Sequence, residues 1–147
     1  MFKFFRTKGQ DIGVDLGTGN TRLYTKDKGI TIDEPTVVAV NTKTEQILAV
    51  GDEAKQMLGK TPPHIMVTRP LLHGIISDYE VAEKMLRYFI DKVHDGGMSV
   101  LSRPRVVVGV PLDVTEVEAK AVEDAILAAG AREVFIVQEP MLAAIGG

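Results

Sequence analysis

The chain has 147 residues, enough for one domain or for one domain with a small insertion. Its net charge of −3 argues against general nucleic-acid binding, and the absence of cysteine excludes a disulfide framework, a zinc–thiolate site and thiol chemistry. No apolar run approaches the ~20 residues that are needed to span a bilayer.

Residues 1–10 form an N-terminal segment in which Phe2, Phe4 and Phe5 lie among three cationic side chains. It is too short for a signal peptide, whose apolar region alone needs ~7–15 residues. The pattern predicts an amphipathic membrane contact, with aromatic rings in the interface and cations near anionic headgroups. The alternative interpretation is a frayed terminus or the start of the first strand.

The most informative stretch is residues 11–21, where an apolar strand containing Asp15 runs directly into a small polar turn. The turn consists of Gly17, Thr18, Gly19 and Asn20. Its glycines let backbone N–H groups approach an anion closely, and the other two residues add side-chain donors. A carboxylate beside such a turn predicts a Mg-nucleotide site, with the turn on the phosphates and Asp15 on the metal side. A plain β-hairpin is the alternative, since Gly-Asn also suits a tight turn.

The first half of the chain is predicted to form mainly short strands. Strands are predicted at 11–17, 21–25 and 29–32, and Glu34-Pro35 then breaks the pattern. We interpret residues 33–75 as an inserted subdomain with strands at 36–40 and 46–50, a helix over 51–58 and an extended piece at 65–68.

The second half alternates helices with apolar strands. Ser77 and Glu80 have capping-box spacing and open a helix that ends near residues 94–97. Its predicted inward stripe is Val81, Ala82, Met85, Leu86, Phe89, Ile90 and Val93. Buried strands are predicted at 105–110 and 133–137.

A second capping box, Thr115 with Glu118, opens the helix between these two strands, and this helix closes at Gly130. Its predicted inward residues are Val117, Ala121, Val122 and Ala125. A last helix starts at Gln138-Glu139-Pro140. Three antiparallel strands followed by parallel βαβ crossovers indicate a ribonuclease-H-like α/β fold, which hosts several functions.

Several runs of residues resemble one family. Asp15 to Thr21 looks like the first phosphate motif of the actin, sugar-kinase and chaperone ATPase superfamily. The later runs narrow the resemblance to the MreB/Mbl family of bacterial actins, from about residue 11 to the end. These runs are Asp33-Glu-Pro-Thr36, Arg69-Pro70, Gly74 to Asp78, Met85 to Ile90, Arg103 to Pro111 and Gln138 to Met141. A sugar-kinase or chaperone fragment would share the first motif but not these.

The resemblance implies an actin-like ATPase domain in which residues 11–32 and 76–147 form an incomplete subdomain IA and residues 33–75 form subdomain IB. The matching positions imply that the Gly17–Asn20 turn contacts ATP phosphates, that Asp15 holds Mg²⁺ through water, and that Glu139 positions the attacking water. Without the family, Glu139 would be read as a first-turn acid favoured by the helix dipole.

Two positions depart from the family pattern. Gly19 stands where Ala is usual, and Gln138 stands where a second Glu is common. In the family a second domain follows, with another phosphate loop and the adenosine pocket, and this chain contains none of it. We therefore expect weak or no ATP binding by the chain alone, with the second domain as a partner in trans.

Two functions follow from the resemblance. The first is a slow ATPase that forms membrane-associated filaments from its own copies, and these filaments organise cell-wall synthesis and rod cell shape through wall-synthesis membrane proteins as partners. The second is a non-catalytic interaction domain that docks on filaments or membrane without ATP turnover. The resemblance also implies a cytoplasmic protein, peripheral at the inner face of the cell membrane. Membrane contact includes Val100 and Leu101, for which a loop folded onto the core is the alternative.

Overall fold

The computed structural model of the protein describes residues 11–93 and 103–138. In chain order its elements are β1 (Asp11–Leu16), β2 (Asn20–Thr25), β3 (Gly29–Pro35), β4 (Val38–Asn41), β5 (Ile47–Val50), α1 (Asp52–Gln56), β6 (Ile65–Thr68), β7 (Leu71–Leu72), β8 (Ile75–Ile76), α2 (Tyr79–Val93), β9 (Arg105–Val110), α3 (Glu116–Ala128) and β10 (Glu133–Gln138). The predicted contacts at residues 1–10, Val100 and Leu101, the role of Glu139 and the last helix all fall outside the described residues.

The main sheet has the order β10-β9-β1-β2-β3. β1, β2 and β3 pair antiparallel, whereas β9 pairs parallel with both β1 and β10. This arrangement confirms the predicted three antiparallel strands followed by parallel crossovers, and with it the ribonuclease-H-like α/β arrangement. It also brings the carboxyl ends of β1, β9 and β10 to one edge of the sheet, where sites in such folds are built.

The core lies between one face of the main sheet and helices α2 and α3. Alternate residues of β1, namely Ile12, Val14 and Leu16, are buried on this face, as period-two patterning requires. Phe89 is among the largest fully buried side chains of the chain. The predicted inward stripe of α2 is confirmed, since all its members are buried except Val93, which packs partly buried against the same cluster.

A smaller three-stranded sheet, β5-β4-β6, and helix α1 are built from the residues between β3 and the β7–β8 hairpin. Val37, Ala39, Ala49 and Ala54 form a separate small core there. β3 continues through Pro35, so the predicted break at Glu34-Pro35 is wrong. Pro35 is tolerated because β3 is an edge strand of the described main sheet, where a missing N–H need not interrupt a hydrogen-bonded ladder. The boundaries of the inserted subdomain, 33–75, stay a prediction.

Helix α2 begins differently from the predicted capping box. The Val81 amide donates to Asp78 Oδ1 at 3.2 Å, while the Ser77 hydroxyl donates to the Pro70 carbonyl. Asp78 is therefore the cap, because the chain before the helix turns back toward Pro70 and engages Ser77 there. Sequence spacing alone does not reveal that competing acceptor.

Helix α3 has the predicted cap, but one of the residues predicted to face the core is exposed. The reciprocal bonds between Thr115 and Glu118 are both present, which confirms the second capping box. Val117, however, is 79% exposed. It lies about 140° around the helix from the buried Val122, at 3.6 residues per turn. Val117 instead lines a shallow groove of about 640 Å³ between α2 and α3, together with Tyr79 and Lys120.

Strand β10 has no fully buried residue, so the prediction of a buried strand is wrong there. Val134 and Ile136 pack partly buried against the core, but Phe135 between them is 50% exposed. An apolar run is compatible with burial on both faces, and only the tertiary arrangement shows which face is covered.

Candidate functional site

The turn between β1 and β2 lies at the carboxyl end of β1 and is closed by a backbone hydrogen bond. The Gly17 amide donates to the Asn20 carbonyl oxygen at 3.0 Å, with Thr18 and Gly19 at the tip. A Cβ atom on Gly17 would lie 2.5 Å from that same oxygen, so residue 17 has to be glycine for steric reasons. A Cβ on Gly19 would meet nothing within 4 Å, which leaves room there for alanine. The turn closes a β-hairpin between β1 and β2, and the residues predicted to bind phosphate lie within it.

Thr18 is held by the segment that precedes α2. Its Oγ1 accepts a hydrogen bond from the Gly74 amide at 3.0 Å, and its carbonyl oxygen accepts a longer one from Arg69 at 3.5 Å. His73 and Gly74 both have positive φ, 54° and 75°, which form the tight tip of the β7–β8 hairpin. Because a hydroxyl carries one donor and two acceptor sites, and no described residue accepts from Thr18 Oγ1, its proton is available to an acceptor such as a phosphate oxygen.

Asn20 is tied to β3 at the exposed side of the turn. Its Nδ2 donates to Asp33 Oδ1 at 2.9 Å, and Arg22 Nε lies 3.3 Å from the same oxygen. The hydrogen bond from Asn20 is the main cause that lowers the pKa of Asp33; desolvation opposes it, and the nearby Arg22 lowers the pKa further. One hydrogen of the Asn20 amide is thus engaged, and the other has no acceptor within residues 11–93 and 103–138, so it is available to a ligand.

Asp15 is half-buried on β1, on the sheet face opposite to Val14 and Leu16. Its register partners are Arg22 on β2 and Gly109 on β9. Gly109 places no side chain beside the carboxylate, although the glycine backbone is itself buried. Among the described residues Asp15 has no ion pair and no side-chain hydrogen bond, since Arg22 is paired with Asp33. A carboxylate in this setting is suited to a cation or to water around one.

Glu139 follows directly after β10 and lies outside the described residues. Val137 of β10 is in register with Gly109, which in turn is in register with Asp15. β10 therefore ends at the same sheet edge as β1. The role of Glu139 in positioning water stays a prediction.

Three residues that support the turn were given no role by the sequence: Thr36, Arg69 and Gly74. Thr36 donates from both its amide and its hydroxyl to carbonyl oxygens of the turn. All three lie in runs that resemble the MreB/Mbl family, and that resemblance is the one signal that marks them. Among the described residues no group of three or more His, Asp or Glu side chains is placed to hold a metal ion.

Comparison with known proteins decides the family. The profile of the MreB/Mbl protein family matches residues 9–147. The chain belongs to the MreB/Mbl family. The cell shape-determining protein MreB of Haemophilus influenzae is 50% identical to it over 140 residues, covering 92% of this chain and 40% of that relative. Mbl of Bacillus subtilis is 44% identical over 137 residues, covering 93% and 40%. The chain thus spans about 40% of the length of these MreB and Mbl relatives.

Solved structures of this family and of a more distant protein share the fold. MreB5 of Spiroplasma citri bound to ADP superimposes with a TM-score of 0.82 at 32% identity, covering 94% of this chain and 40% of that one. A MamK double helical filament gives a TM-score of 0.76 at 22% identity, covering 92% and 42%. The MamK likeness supports the actin-like fold alone.

Proposed function

We propose that this chain forms one wall of a Mg-ATP site in an MreB-like protein whose nucleotide state controls assembly of filaments from its own copies. The observation that carries the proposal is the braced turn Gly17–Asn20, in which, among the described residues, the Thr18 hydroxyl proton and one Asn20 amide hydrogen have no acceptor, next to the unpaired carboxylate of Asp15. The ADP and AMPPNP complexes of MreB5 from Spiroplasma citri support a nucleotide as the ligand.

In this proposal the chain's own residues perform separate tasks. The turn binds phosphate oxygens through backbone amides and the Thr18 hydroxyl, and the adjacent carboxylate of Asp15 orients water around Mg²⁺. The ion neutralises phosphate charge when bound. Glu139 orients the attacking water. Phosphoryl transfer depends mainly on such positioning and charge stabilisation, so no covalent intermediate with the protein is needed.

The test is a fusion of residues 1–147 to the remaining part of the Haemophilus influenzae relative, compared with the chain alone and with the two parts mixed. We expect Mg-ATP binding and phosphate release from the fusion and the mixture, and little from the chain alone. Glu139→Gln should slow hydrolysis about 100-fold, as for a lost general base, with nucleotide affinity retained. Asp15→Asn should remove the dependence of affinity on Mg²⁺.

Matched controls lie at the opposite ends of the same strands. Asp11→Asn and Glu133→Gln remove a carboxylate from β1 and β10 far from the turn, and both should leave binding and hydrolysis unchanged. Absence of nucleotide binding by the unmodified fusion would contradict the proposal. The non-catalytic docking domain would then be the better description.

We further propose that the protein is peripheral at the inner face of the cytoplasmic membrane, near wall-synthesis proteins. The basis is the sequence of residues 1–10, with Phe2, Phe4 and Phe5 among cations, together with Val100 and Leu101. None of the helices in the described ranges is both long enough and apolar enough to cross a membrane.

Vesicle co-sedimentation tests the membrane proposal. Phe2→Ser with Phe5→Ser should weaken binding to anionic vesicles by more than about tenfold, because each buried Phe contributes about 1.5–3 kcal/mol. Adding Leu101→Ser should weaken it again. Phe135→Ser, at an exposed position of the main sheet, serves as the control and should have no effect. Equal binding by all variants would rule the proposal out.

A further inference from the structure

Thr36 is a fully buried polar residue directly behind the candidate phosphate turn, at 0% exposure. Burying a hydroxyl without hydrogen-bond partners costs free energy, so the partners of the Thr36 hydroxyl indicate its structural role. The Thr36 hydroxyl donates to the Gly17 carbonyl oxygen at 2.7 Å, and the Thr36 amide donates to the Gly19 carbonyl oxygen at 2.9 Å. Both donors of this one residue are therefore used on the turn.

A second buried threonine completes the arrangement. Thr21, also at 0% exposure, has its Oγ1 2.9 Å from the Thr36 Oγ1. The single hydroxyl proton of Thr36 is already committed to Gly17, so in this pair Thr21 is the donor and Thr36 the acceptor. The result is a directed chain of hydrogen bonds from Thr21 through Thr36 to the Gly17 carbonyl, with no proton left ambiguous.

The planarity of the peptide bond determines which way the backbone amides of the turn point, and so how the turn can bind an anion. In a trans peptide the C=O and the N–H of the following residue point in opposite directions. Drawing the Gly17 and Gly19 carbonyls toward Thr36 therefore aims the amides of Thr18 and Asn20 away from it. A carbonyl oxygen facing a phosphate would repel it, whereas an amide attracts it.

We infer that Thr36 is a positioning residue of the phosphate site, which holds the turn's carbonyls on the inner side so that its amides face the nucleotide. This inference rests on the proposed nucleotide-binding function and adds the residue that keeps the turn competent. Thr36 does not contact the nucleotide itself, and its effect passes through the peptide units that follow Gly17 and Gly19.

The test compares Thr36→Val with Thr36→Ser in the fusion protein described above. Valine keeps the shape of threonine but removes the hydroxyl, whereas serine keeps it. We expect Thr36→Val to raise the Kd of Mg-ADP about tenfold, equivalent to about 1.4 kcal/mol, and Thr36→Ser to stay within about twofold. Binding of adenosine, which has no phosphate, should not change in either variant.

Thr25→Val is the matched control for a buried threonine. Thr25 is 2% exposed and its Oγ1 lacks a hydrogen-bond partner among the described residues, so valine should leave the Kd of Mg-ADP unchanged. The amide signals of Thr18 and Asn20 in NMR spectra should shift in Thr36→Val and not in Thr25→Val.

The outcomes separate this inference from the function on which it rests. If the unmodified fusion binds Mg-ADP and Thr36→Val binds it equally well, the positioning role is overturned and the nucleotide site stands. If Thr36→Val weakens adenosine as much as Mg-ADP, the effect is general destabilisation and the inference is again overturned. If the unmodified fusion binds no nucleotide, the proposed function fails and the inference fails with it.

Discussion

Replacing Gly17 by alanine is expected to destroy the phosphate turn, whereas the same replacement at Gly19 is expected to be tolerated. At position 17 the new Cβ would lie 2.5 Å from the Asn20 carbonyl oxygen, which is backbone and cannot rotate away. The turn must open to relieve the contact, and the hydrogen bond from the Gly17 amide to Asn20 is lost. Overpacking of this kind costs about 1–3 kcal/mol of the free energy of unfolding.

The effect of Gly17→Ala on binding should exceed its effect on stability. Hydrogen bonds to charged groups contribute about 1.5–3 kcal/mol each, so misdirecting one turn amide should raise the Kd of Mg-ADP about 10- to 100-fold. Titration calorimetry on the fusion protein and urea unfolding provide the two measurements. Gly19→Ala is the matched control, since its Cβ meets nothing within 4 Å and its φ is not in the left-handed region. Equal affinities of the two variants would show that the turn geometry does not determine binding.

Phe89→Ala is expected to cause the largest loss of stability among single substitutions in α2. Phe89 is 0% exposed, and its ring meets that of Tyr88 edge to face at a centroid distance of 5.7 Å. Truncating a buried Phe costs about 3–5 kcal/mol, because the transfer free energy is lost and a cavity remains. That is a large share of the about 5–15 kcal/mol that stabilises a typical domain.

Phe135→Ala provides the comparison, since it removes the same side chain from a position that is 50% exposed. We expect it to lower the free energy of unfolding by less than about 1 kcal/mol. Urea unfolding followed by far-ultraviolet circular dichroism measures both variants in the 147-residue chain. If Phe135→Ala costs as much as Phe89→Ala, the face of the sheet that carries Phe135 is buried in solution.

Features set by local pattern were predictable from the sequence. The stripe of α2 repeats at helical spacing, and the cap of α3, Thr115 with Glu118, lies within four residues, so both appear in the structure as expected. The succession of three antiparallel strands and parallel crossovers also followed from local signals, because alternating strands and helices permit few connections. The glycine turn beside Asp15 was recognised for the same reason, since all its residues are contiguous.

Features that depend on distant partners were not predictable. Ser77 has the spacing of a cap, yet its hydroxyl donates to Pro70 and Asp78 caps the helix instead. Val117 and Phe135 are apolar within apolar segments, yet both are exposed, because only the assembled helices and sheet determine which face is covered.

The sequence by itself determined the family, the order of the strands and helices, and the position of the phosphate turn. Each of these depends on residues that are neighbours in the chain or that recur with a fixed period. Only the tertiary structure decided how the turn is held, since Thr36 reaches Gly17 across 19 positions and Gly74 reaches Thr18 across 56. A hydrogen bond depends on distance and direction in space, and residues that far apart in sequence acquire both only when the chain has folded.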